Sequence, residues 1–253
     1  MINSYISWTN NTVNFWTGCT KVSPGCKYCY MHRMYDSKGI DPNKVKRTSD
    51  ATFYQALLWK EPRMIFTCSM SDFFIEEADQ WRDDAWDVMR KTPQHKWQIL
   101  TKRIDRVLDH LPSDWGQGWN NVWLGTSVES QAYINRIDTL SRIPAKIRFV
   151  SFEPLLGSID LCSLVESGAI SGIHWGIIGG ESGNSSGKYQ YRPCEIEWIE
   201  DLVNQLKSYG IKVFVKQLGT HPARVLGLRD WKGENLKEWP VSLQNIKIQE
   251  FPE

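Results

Sequence analysis

Short runs of apolar and β-branched residues alternate along this chain with longer amphipathic stretches, and this alternation limits the fold more than any other feature. Each run has the length of a strand and ends in small or polar residues. Alternating strands and helices are typical of parallel sheets with right-handed crossovers, so we expect an α/β fold. The predicted strands are Val13–Trp16, Met64–Ser69, Trp97–Thr101, Val122–Thr126, Ile147–Ser151, His174–Gly179 and Lys212–Gln217.

Two of the amphipathic stretches carry clear helix signals. In Glu195–Tyr209 the apolar side chains fall on one helical stripe, Pro193 precedes the start, and Gly210 suits a left-handed stop. Glu76–Lys91 has a similar stripe. With 253 residues, the chain is long enough for a substantial core. We expect one domain over residues 1–253, with residues 220–253 as a C-terminal extension packed on it.

Polar residues or glycines directly follow nearly every predicted strand. In a full or partial TIM-type (β/α) barrel of about six to seven parallel strands these residues converge on one mouth, where such enzymes keep their chemistry. A doubly wound sheet is the alternative. A helix cap or a turn explains any single segment, but so many together favour the barrel. The segments are Ser69–Asp72, Thr101–Arg103, Ser127–Glu129, Ser151–Glu153, Gly179–Glu181 and Lys216–Gln217.

Three cysteines, Cys19, Cys26 and Cys29, follow the first predicted strand in the frame Cys-x6-Cys-x2-Cys. Thiolates are soft ligands for zinc and for iron–sulfur clusters. A structural zinc site is closed by four protein groups, so the triad either recruits a fourth ligand or leaves one metal position for a group that is not protein. His32 would complete a Cys3His zinc site. Disulfide pairing among the six cysteines is a third interpretation.

Composition gives no sign of a membrane protein or of non-specific nucleic-acid binding, although a local basic groove would still allow nucleic acid to bind. The 30 basic and 29 acidic side chains leave a formal charge of +1, with no basic tail for non-specific nucleic-acid binding. No run approaches the roughly 18 apolar residues of a membrane span, and no signal sequence follows Met1. We therefore expect a cytoplasmic protein without a membrane partner, in a reducing compartment where cysteines serve as ligands or core residues. The 13 tryptophans are expected mainly in the core.

Segments spread along nearly the whole chain carry a resemblance to a known family. They are Gly18–Cys26, Ser69–Asp72, Leu100–Arg103, Trp123–Glu129, Phe152–Leu156, Gly179–Gly183, Arg192–Pro193, Lys216–Gln217, Trp239–Pro240 and Glu250–Pro252. The chain is similar to a phage-associated family that resembles radical S-adenosylmethionine (radical SAM) enzymes, is defined by a three-cysteine motif and lacks an assigned reaction. Its first cysteine gap is x6, whereas most radical SAM enzymes have x3. Gly179–Glu181 also follows the sixth predicted strand, whereas the superfamily's Gly-Gly-Glu segment follows the second.

The resemblance implies that Cys19, Cys26 and Cys29 hold a 4Fe-4S cluster whose fourth iron binds SAM. One-electron reduction then yields methionine and a 5′-deoxyadenosyl radical, which modifies a substrate. An external electron donor is implied, and a partner protein is compatible with it. A nucleobase, nucleotide or nucleic acid is the expected substrate, with a peptide as its rival. A noncatalytic zinc or iron–sulfur protein that binds nucleic acid or a partner is the alternative function.

Within this resemblance, the side chains at the strand ends receive roles by position. Serine hydroxyls and a carboxylate suit the ammonium of SAM, basic side chains suit its carboxylate, and glycines let the backbone approach adenine. The predicted cofactor-binding residues are Tyr28, Ser69, Ser71, Asp72, Thr101, Lys102, Ser127, Glu129, Arg136, Gly179 and Gly180. Glu153 and Lys216 are the candidate catalytic residues, because either can move a proton. Glu181, Gln217 and Arg192 are expected on the substrate side.

Overall fold

The chain folds around a parallel sheet. The computed structural model describes residues 4–253. Its strands are β1 (Asn11–Val13), β2 (Trp16–Thr17), β3 (Lys46–Arg47), β4 (Met64–Thr67), β5 (Lys96–Thr101), β6 (Val122–Ser127), β7 (Ile147–Phe152), β8 (Trp175–Gly179) and β9 (Lys212–Gln217). Seven of these described strands form one sheet in the order β1-β4-β5-β6-β7-β8-β9, and β2 pairs with β3 in a separate antiparallel pair.

Helices connect the strands. They are α1 (Tyr30–Asp36), α2 (Asp50–Phe53), α3 (Asp79–Arg90), α4 (Asn135–Arg142), α5 (Cys162–Glu166), α6 (Ile196–Ser208) and α7 (Thr220–Val225). The prediction of α6 is accurate to one residue at each end, and Gly210 has the expected left-handed φ of 72°. The first turn predicted for α3 is instead a 3-10 turn at Glu76–Ala78. None of the helices in residues 4–253 has the length and apolar character that a membrane span requires.

The strand order decides between the two α/β architectures. Neighbours in the sheet follow one another in chain order, and only the short β2 and β3 lie outside it. A doubly wound sheet would reverse its order at a switch point, so that alternative is wrong. The predicted α/β class is confirmed, as a partial (β/α) barrel with seven parallel strands among the described residues.

The first predicted strand, Val13–Trp16, is wrong in its bounds. The structure has β1 at Asn11–Val13, parallel to β4, and β2 at Trp16–Thr17, antiparallel to β3. Phe15 and Trp16 are fully buried among other rings, with the Phe15 ring 4.8 Å from Phe53 and the Trp16 ring 5.3 Å from Phe73. The last residues of this apolar run therefore bury their large aromatic rings and do not extend β1. The other predicted strands match β4 to β9 within two residues at each end.

The chain divides into two compact units. The first comprises the described chain up to Val22, Met31–Thr126 and Ile143–Arg148. Its core is rich in aromatic residues, since Phe73 lies 4.9 Å from Trp86, which lies 5.5 Å from Trp115. Eight of the 13 tryptophans of the chain are buried, which confirms their expected place in the core.

The second unit comprises Ser23–Tyr30, Ser127–Arg142 and Phe149–Glu253. Helix α6 buries Ile199, Leu202, Val203 and Leu206, and a Cβ on Gly176 of β8 would meet Leu206 at 2.6 Å. The end of the chain also packs on this sheet. Trp175 donates its indole N–H to the Glu250 carbonyl at 2.8 Å, and the Phe251 ring lies 5.3 Å from Phe214.

His95 makes the stability of the first unit pH-dependent. Its ring is fully buried, and burial lowers its pKa below the usual 6.5, opposed by a hydrogen bond to the Ala56 carbonyl and assisted by the charge of Arg63. The unfolded chain takes up this proton near 6.5 and the folded chain only at lower pH, so the free energy of unfolding should decrease as pH falls below about 6.5. Urea unfolding at pH 7.5 and 5.5 measures the effect. The same pH dependence in His95→Gln would contradict it.

Candidate functional site

The three motif cysteines lie between β2 and α1 and are half-buried. No disulfide joins any of the six cysteines, so the disulfide interpretation is not supported. Cys19 belongs to the first unit, whereas Cys26 and Cys29 belong to the second.

In the first unit, Gly18 sets the path of the chain into Cys19. Its φ of 92° lies in the left-handed region, and a Cβ at this position would meet the Lys44 carbonyl oxygen at 2.4 Å. The Gly18 N–H donates to the Met70 carbonyl at 3.0 Å, and the Cys19 N–H donates to the Pro42 carbonyl at 2.8 Å. Because a side chain at residue 18 would be both strained and obstructed, glycine is required immediately before the first thiol.

Arg103, which follows β5, places a positive charge beside the Cys19 sulfur. One guanidinium nitrogen donates to the Cys19 sulfur at 3.7 Å, and another donates to the Thr20 hydroxyl at 2.7 Å. The side chain is only 10% exposed. Burial alone would lower its pKa, but the charges of Asp72 and Cys19 outweigh burial and raise it. Arg103 is thus a cation held beside the Cys19 sulfur.

The Asp72 carboxylate is occupied by donors of its own unit. One oxygen accepts hydrogen bonds from the Phe74 N–H at 2.9 Å and the Thr101 hydroxyl at 2.6 Å. The other accepts the Lys102 N–H at 2.9 Å and lies 3.4 Å from Arg103. The side chain is 8% exposed. Its predicted contact with the ammonium of SAM stays a prediction, which these contacts do not support.

Ser69 and Ser71 lie in the turn after β4 and are half-buried. The Ser71 hydroxyl donates to the Gly18 carbonyl at 2.5 Å, which connects this turn to the segment that carries Cys19. Asn14 lies beside Ser69 and accepts the Met70 N–H at 2.8 Å. The hydroxyl oxygen of Ser71 retains acceptor capacity, so its predicted role with SAM is compatible with its position.

In the second unit, Ser23–Cys29 forms a tight turn that we call the cysteine turn. A 3-10 helix covers Pro24–Cys26, the Cys26 N–H donates to the Ser23 carbonyl at 2.9 Å, and the Cys29 N–H donates to the Cys26 carbonyl at 3.3 Å. The Ser23 hydroxyl lies 3.7 Å from the Cys26 sulfur. Short-range hydrogen bonds therefore fold the backbone that carries the two thiols of the turn.

Glu129, directly after β6, lies against the cysteine turn. Its side chain is fully buried and accepts hydrogen bonds from the Ser23 hydroxyl and, at 2.8 Å, from Arg136 of α4. A Cβ on Gly25 would lie 2.5 Å from the Glu129 carboxylate. Arg136 also donates to the Ser127 carbonyl and lies 4.3 Å from the Tyr133 ring centroid. The predicted contacts of Glu129 and Arg136 with SAM stay predictions.

Glu181, which follows β8, pairs with Arg192. Arg192 donates its backbone N–H and its Nε–H to one carboxylate oxygen, both at 2.8 Å, and a guanidinium nitrogen to the other oxygen. The remaining guanidinium nitrogen donates to the Pro24 carbonyl at 2.9 Å, and the group lies 5.2 Å from the Tyr28 ring centroid. This second ion pair therefore also contacts the cysteine turn.

Glu153 and Lys216 meet at the carboxyl ends of β7 and β9. The Lys216 ammonium donates to the Glu153 carboxylate at 2.9 Å, and the Ser151 hydroxyl donates to the other oxygen at 3.3 Å. The carboxylate crosses close over Gly179, where a Cβ would lie 2.6 Å away. Lys216 is 22% exposed and Glu153 is 16% exposed, so both groups remain within reach of solvent. The structure brings the two predicted catalytic residues together.

Gln217 and Gly180 contact each other. The Gln217 amide donates to the Gly180 carbonyl at 2.8 Å, and a Cβ on Gly180 would lie 2.0 Å from the Leu218 carbonyl oxygen. Glycine at residue 180 is thus required by the protein's own backbone. Thr101 and Ser127 are buried, and Lys102 and Tyr28 are half-buried.

Within residues 4–253, no three His, Cys, Asp or Glu side chains are already arranged around a metal position. His32, the candidate fourth zinc ligand, is buried on α1. The donor set nevertheless fits an iron–sulfur cluster in its chemistry, because the three motif cysteines form no disulfide and two of them have a polar side chain against the sulfur. Such clusters are held by thiolates and tuned by hydrogen bonds to sulfur.

Sequence reasoning missed Ser23, whose hydroxyl lies beside the Cys26 sulfur, and Asn14, which contacts the turn after β4. Ser23 and Asn14 were not among the predicted site residues, and the contact of Arg103 with Cys19 was not foreseen. The position of Ser23 three residues before Cys26 was an available signal, since serine hydroxyls often bond a nearby group of the same turn. Asn14 had no comparable signal.

A family model matches residues 3–241 of the chain and is described as a protein of unknown function, DUF5131. No curated protein matches the chain. No solved structure matches it either. Because the match extends over most of its length, the chain belongs to the DUF5131 family.

Proposed function

We propose that this protein is a radical SAM enzyme in which Cys19, Cys26 and Cys29 bind a 4Fe-4S cluster. The observation that carries the proposal is the set of three cysteines in one short segment, none of them in a disulfide, with Arg103 donating to Cys19 and Ser23 beside Cys26. Three thiolates leave one iron for a ligand that is not protein. The alternative, a noncatalytic Cys3His zinc protein with His32, would need no polar residues at the strand ends.

When bound, the reduced cluster and SAM supply a 5′-deoxyadenosyl radical with methionine as the second product. The protein's own residues bind, orient and shield the reactants. Arg103 compensates the charge of the Cys19 thiolate, and the hydroxyls of Ser69 and Ser71 are suited to accept from an ammonium group. Lys102 is the basic side chain that we assign to the carboxylate of SAM.

Glu153 and Lys216 are assigned to proton transfer on the substrate side. Their charges are paired at 2.9 Å, and neither group is fully buried. An ammonium that is oriented by one carboxylate and remains accessible can donate a proton to a reacting atom and recover it from solvent. The substrate class that we propose is a nucleobase or nucleotide, with an external protein as electron donor. We also propose a reducing, cytoplasmic compartment, where cysteines serve as ligands or core residues.

Anaerobic reconstitution with iron and sulfide tests the proposal. The wild-type protein is expected to hold a single 4Fe-4S cluster, measured by iron and sulfide analysis, and after reduction with dithionite to convert SAM into methionine and 5′-deoxyadenosine. Lys216→Ala extends this experiment. In this variant the amount of modified substrate should fall relative to the amount of 5′-deoxyadenosine formed. Cys162→Ser is a control, since this thiol is exposed and lies outside the motif.

Two results would refute the proposal. Colourless protein with stoichiometric zinc after the same treatment would favour the noncatalytic alternative. If cluster-loaded, reduced protein neither binds nor cleaves SAM, the iron site stands but the proposed radical chemistry is refuted.

A further inference from the structure

The cysteine turn is seven residues long, and its described internal backbone hydrogen bonds each span only three residues. Within Ser23–Cys29 the described backbone bonds are those of a single 3-10 turn and the next residues, and the Ser23 side chain makes no capping bond to it. Pro24 and Lys27 are exposed. A short turn of this kind has little conformational preference of its own, so contacts from outside it decide where its thiols lie.

Two ion pairs of the second unit supply such contacts from different elements. Glu129 and Arg136 hold the start of the turn, where Glu129 accepts the Ser23 hydroxyl and lies under Gly25. Glu181 and Arg192 hold its next residue, since Arg192 donates to the Pro24 carbonyl at 2.9 Å. Arg192 also lies over the ring of Tyr28, between the two thiols of the turn in sequence.

The carboxylates in both pairs are buried and already accept hydrogen bonds from the protein itself. Glu129 is fully buried and Glu181 is 6% exposed, and both oxygens of each accept donors from this chain. A carboxylate that is both buried and paired with an arginine of its own chain leaves no unpaired charge to attract a ligand. The four side chains therefore have contacts that suit holding the turn and do not suit binding a second molecule.

We infer that the Glu129–Arg136 and Glu181–Arg192 pairs are two clamps that hold the cysteine turn preformed for metal binding by Cys26 and Cys29. The inference rests on the proposed function for the identity of the metal, but the clamping itself belongs to the metal-free protein. It makes these four side chains positioning residues, which differs from the cofactor and substrate contacts that their positions after the strands predict.

Ser23 is the residue through which the first clamp is best tested. Ser23→Ala removes one hydroxyl and leaves the Glu129–Arg136 pair intact, so the fold is retained. Ser23→Thr restores a hydroxyl at a residue with extended φ and ψ of −151° and 166°, which a β-branched side chain adopts readily. Arg192→Lys tests the second clamp, because the shorter cation loses the planar group that bridges Glu181 and Pro24. Arg142→Gln is the matched control on α4, since Arg142 is exposed and pairs with Asp138.

Hydrogen exchange of the amides of residues 24–29 in the metal-free protein is the first measurement. Exchange should be roughly threefold to tenfold faster in Ser23→Ala and in Arg192→Lys, as expected when one hydrogen bond holding a segment is lost. Ser23→Thr and Arg142→Gln should exchange as the wild type does. The second measurement is iron release to a chelator after reconstitution, which should be roughly tenfold faster in Ser23→Ala and restored in Ser23→Thr.

Wild-type exchange rates in both Ser23→Ala and Arg192→Lys would overturn the inference. Faster exchange with unchanged iron release would also overturn it, because the clamps would then not serve the thiols. If exchange is faster as expected but no form of the protein binds iron, the clamps stand and the proposed cluster is refuted instead.

Discussion

Replacing any one of Cys19, Cys26 and Cys29 by alanine is expected to abolish cluster binding. A cluster held by three thiolates loses one of its few protein ligands with each substitution, and neighbouring residues in the motif offer no thiol as a replacement. Iron and sulfide analysis after anaerobic reconstitution measures the loss, and far-UV circular dichroism verifies that each variant is folded.

The other three cysteines are the matched controls and should each be dispensable. Burial raises the pKa of Cys68 to about 12 and that of Cys194 to about 12, so neither supplies a thiolate near neutral pH. Cys162 is exposed, and its hydrogen bond with Asp160 raises its pKa as well. Full loss of iron in the Cys68 variant would mean a four-thiol site and would contradict the open iron position.

His32 separates the two metal interpretations in the same experiment. If the three thiolates hold a cluster, His32→Ala retains its iron. If a Cys3His site holds zinc, the same variant keeps only three ligands and loses most of its zinc affinity. A zinc titration of His32→Ala beside the wild type therefore decides between an enzyme and a noncatalytic protein without knowledge of the substrate.

Asp72→Ala is expected to lower the free energy of unfolding of the metal-free protein by about 3–5 kcal/mol, which is the usual loss when one partner of a buried ion pair is removed. The substitution leaves Arg103, 10% exposed, without its carboxylate, and it also frees the Phe74 and Lys102 N–H groups and the Thr101 hydroxyl. Urea unfolding at neutral pH measures the change.

Asp87→Ala is the matched control for Asp72→Ala, because Asp87 also pairs with an arginine of the first unit but is 53% exposed. Its expected effect is below about 1 kcal/mol, since surface ion pairs contribute little. If Asp72→Ala were as stable as the control and instead bound SAM more weakly, the carboxylate would be a cofactor contact, as the family resemblance implies.

The sequence alone determined which residues belong to the sheet and where the polar side chains stand along it. Strand patterns of apolar residues depend on burial on both faces of a parallel sheet, which leaves a local signature in the sequence. The same is true of α6, where the stripe from Ile199 to Leu206 and the stop at Gly210 are readable over a few residues. Only the first strand was misjudged, because Phe15 and Trp16 extend the apolar run past the end of β1, where both rings pack among other aromatic rings.

The tertiary structure alone decided what those polar side chains contact. Asp72 meets Thr101 across 29 residues of chain, Ser23 meets Glu129 across 106, and Arg192 meets Pro24 across 168. A carboxylate after a strand has the same local sequence signal whether it faces a ligand or an arginine. Its role depends on which distant donors the fold brings within about 3 Å, because a buried carboxylate must be satisfied by whatever lies there.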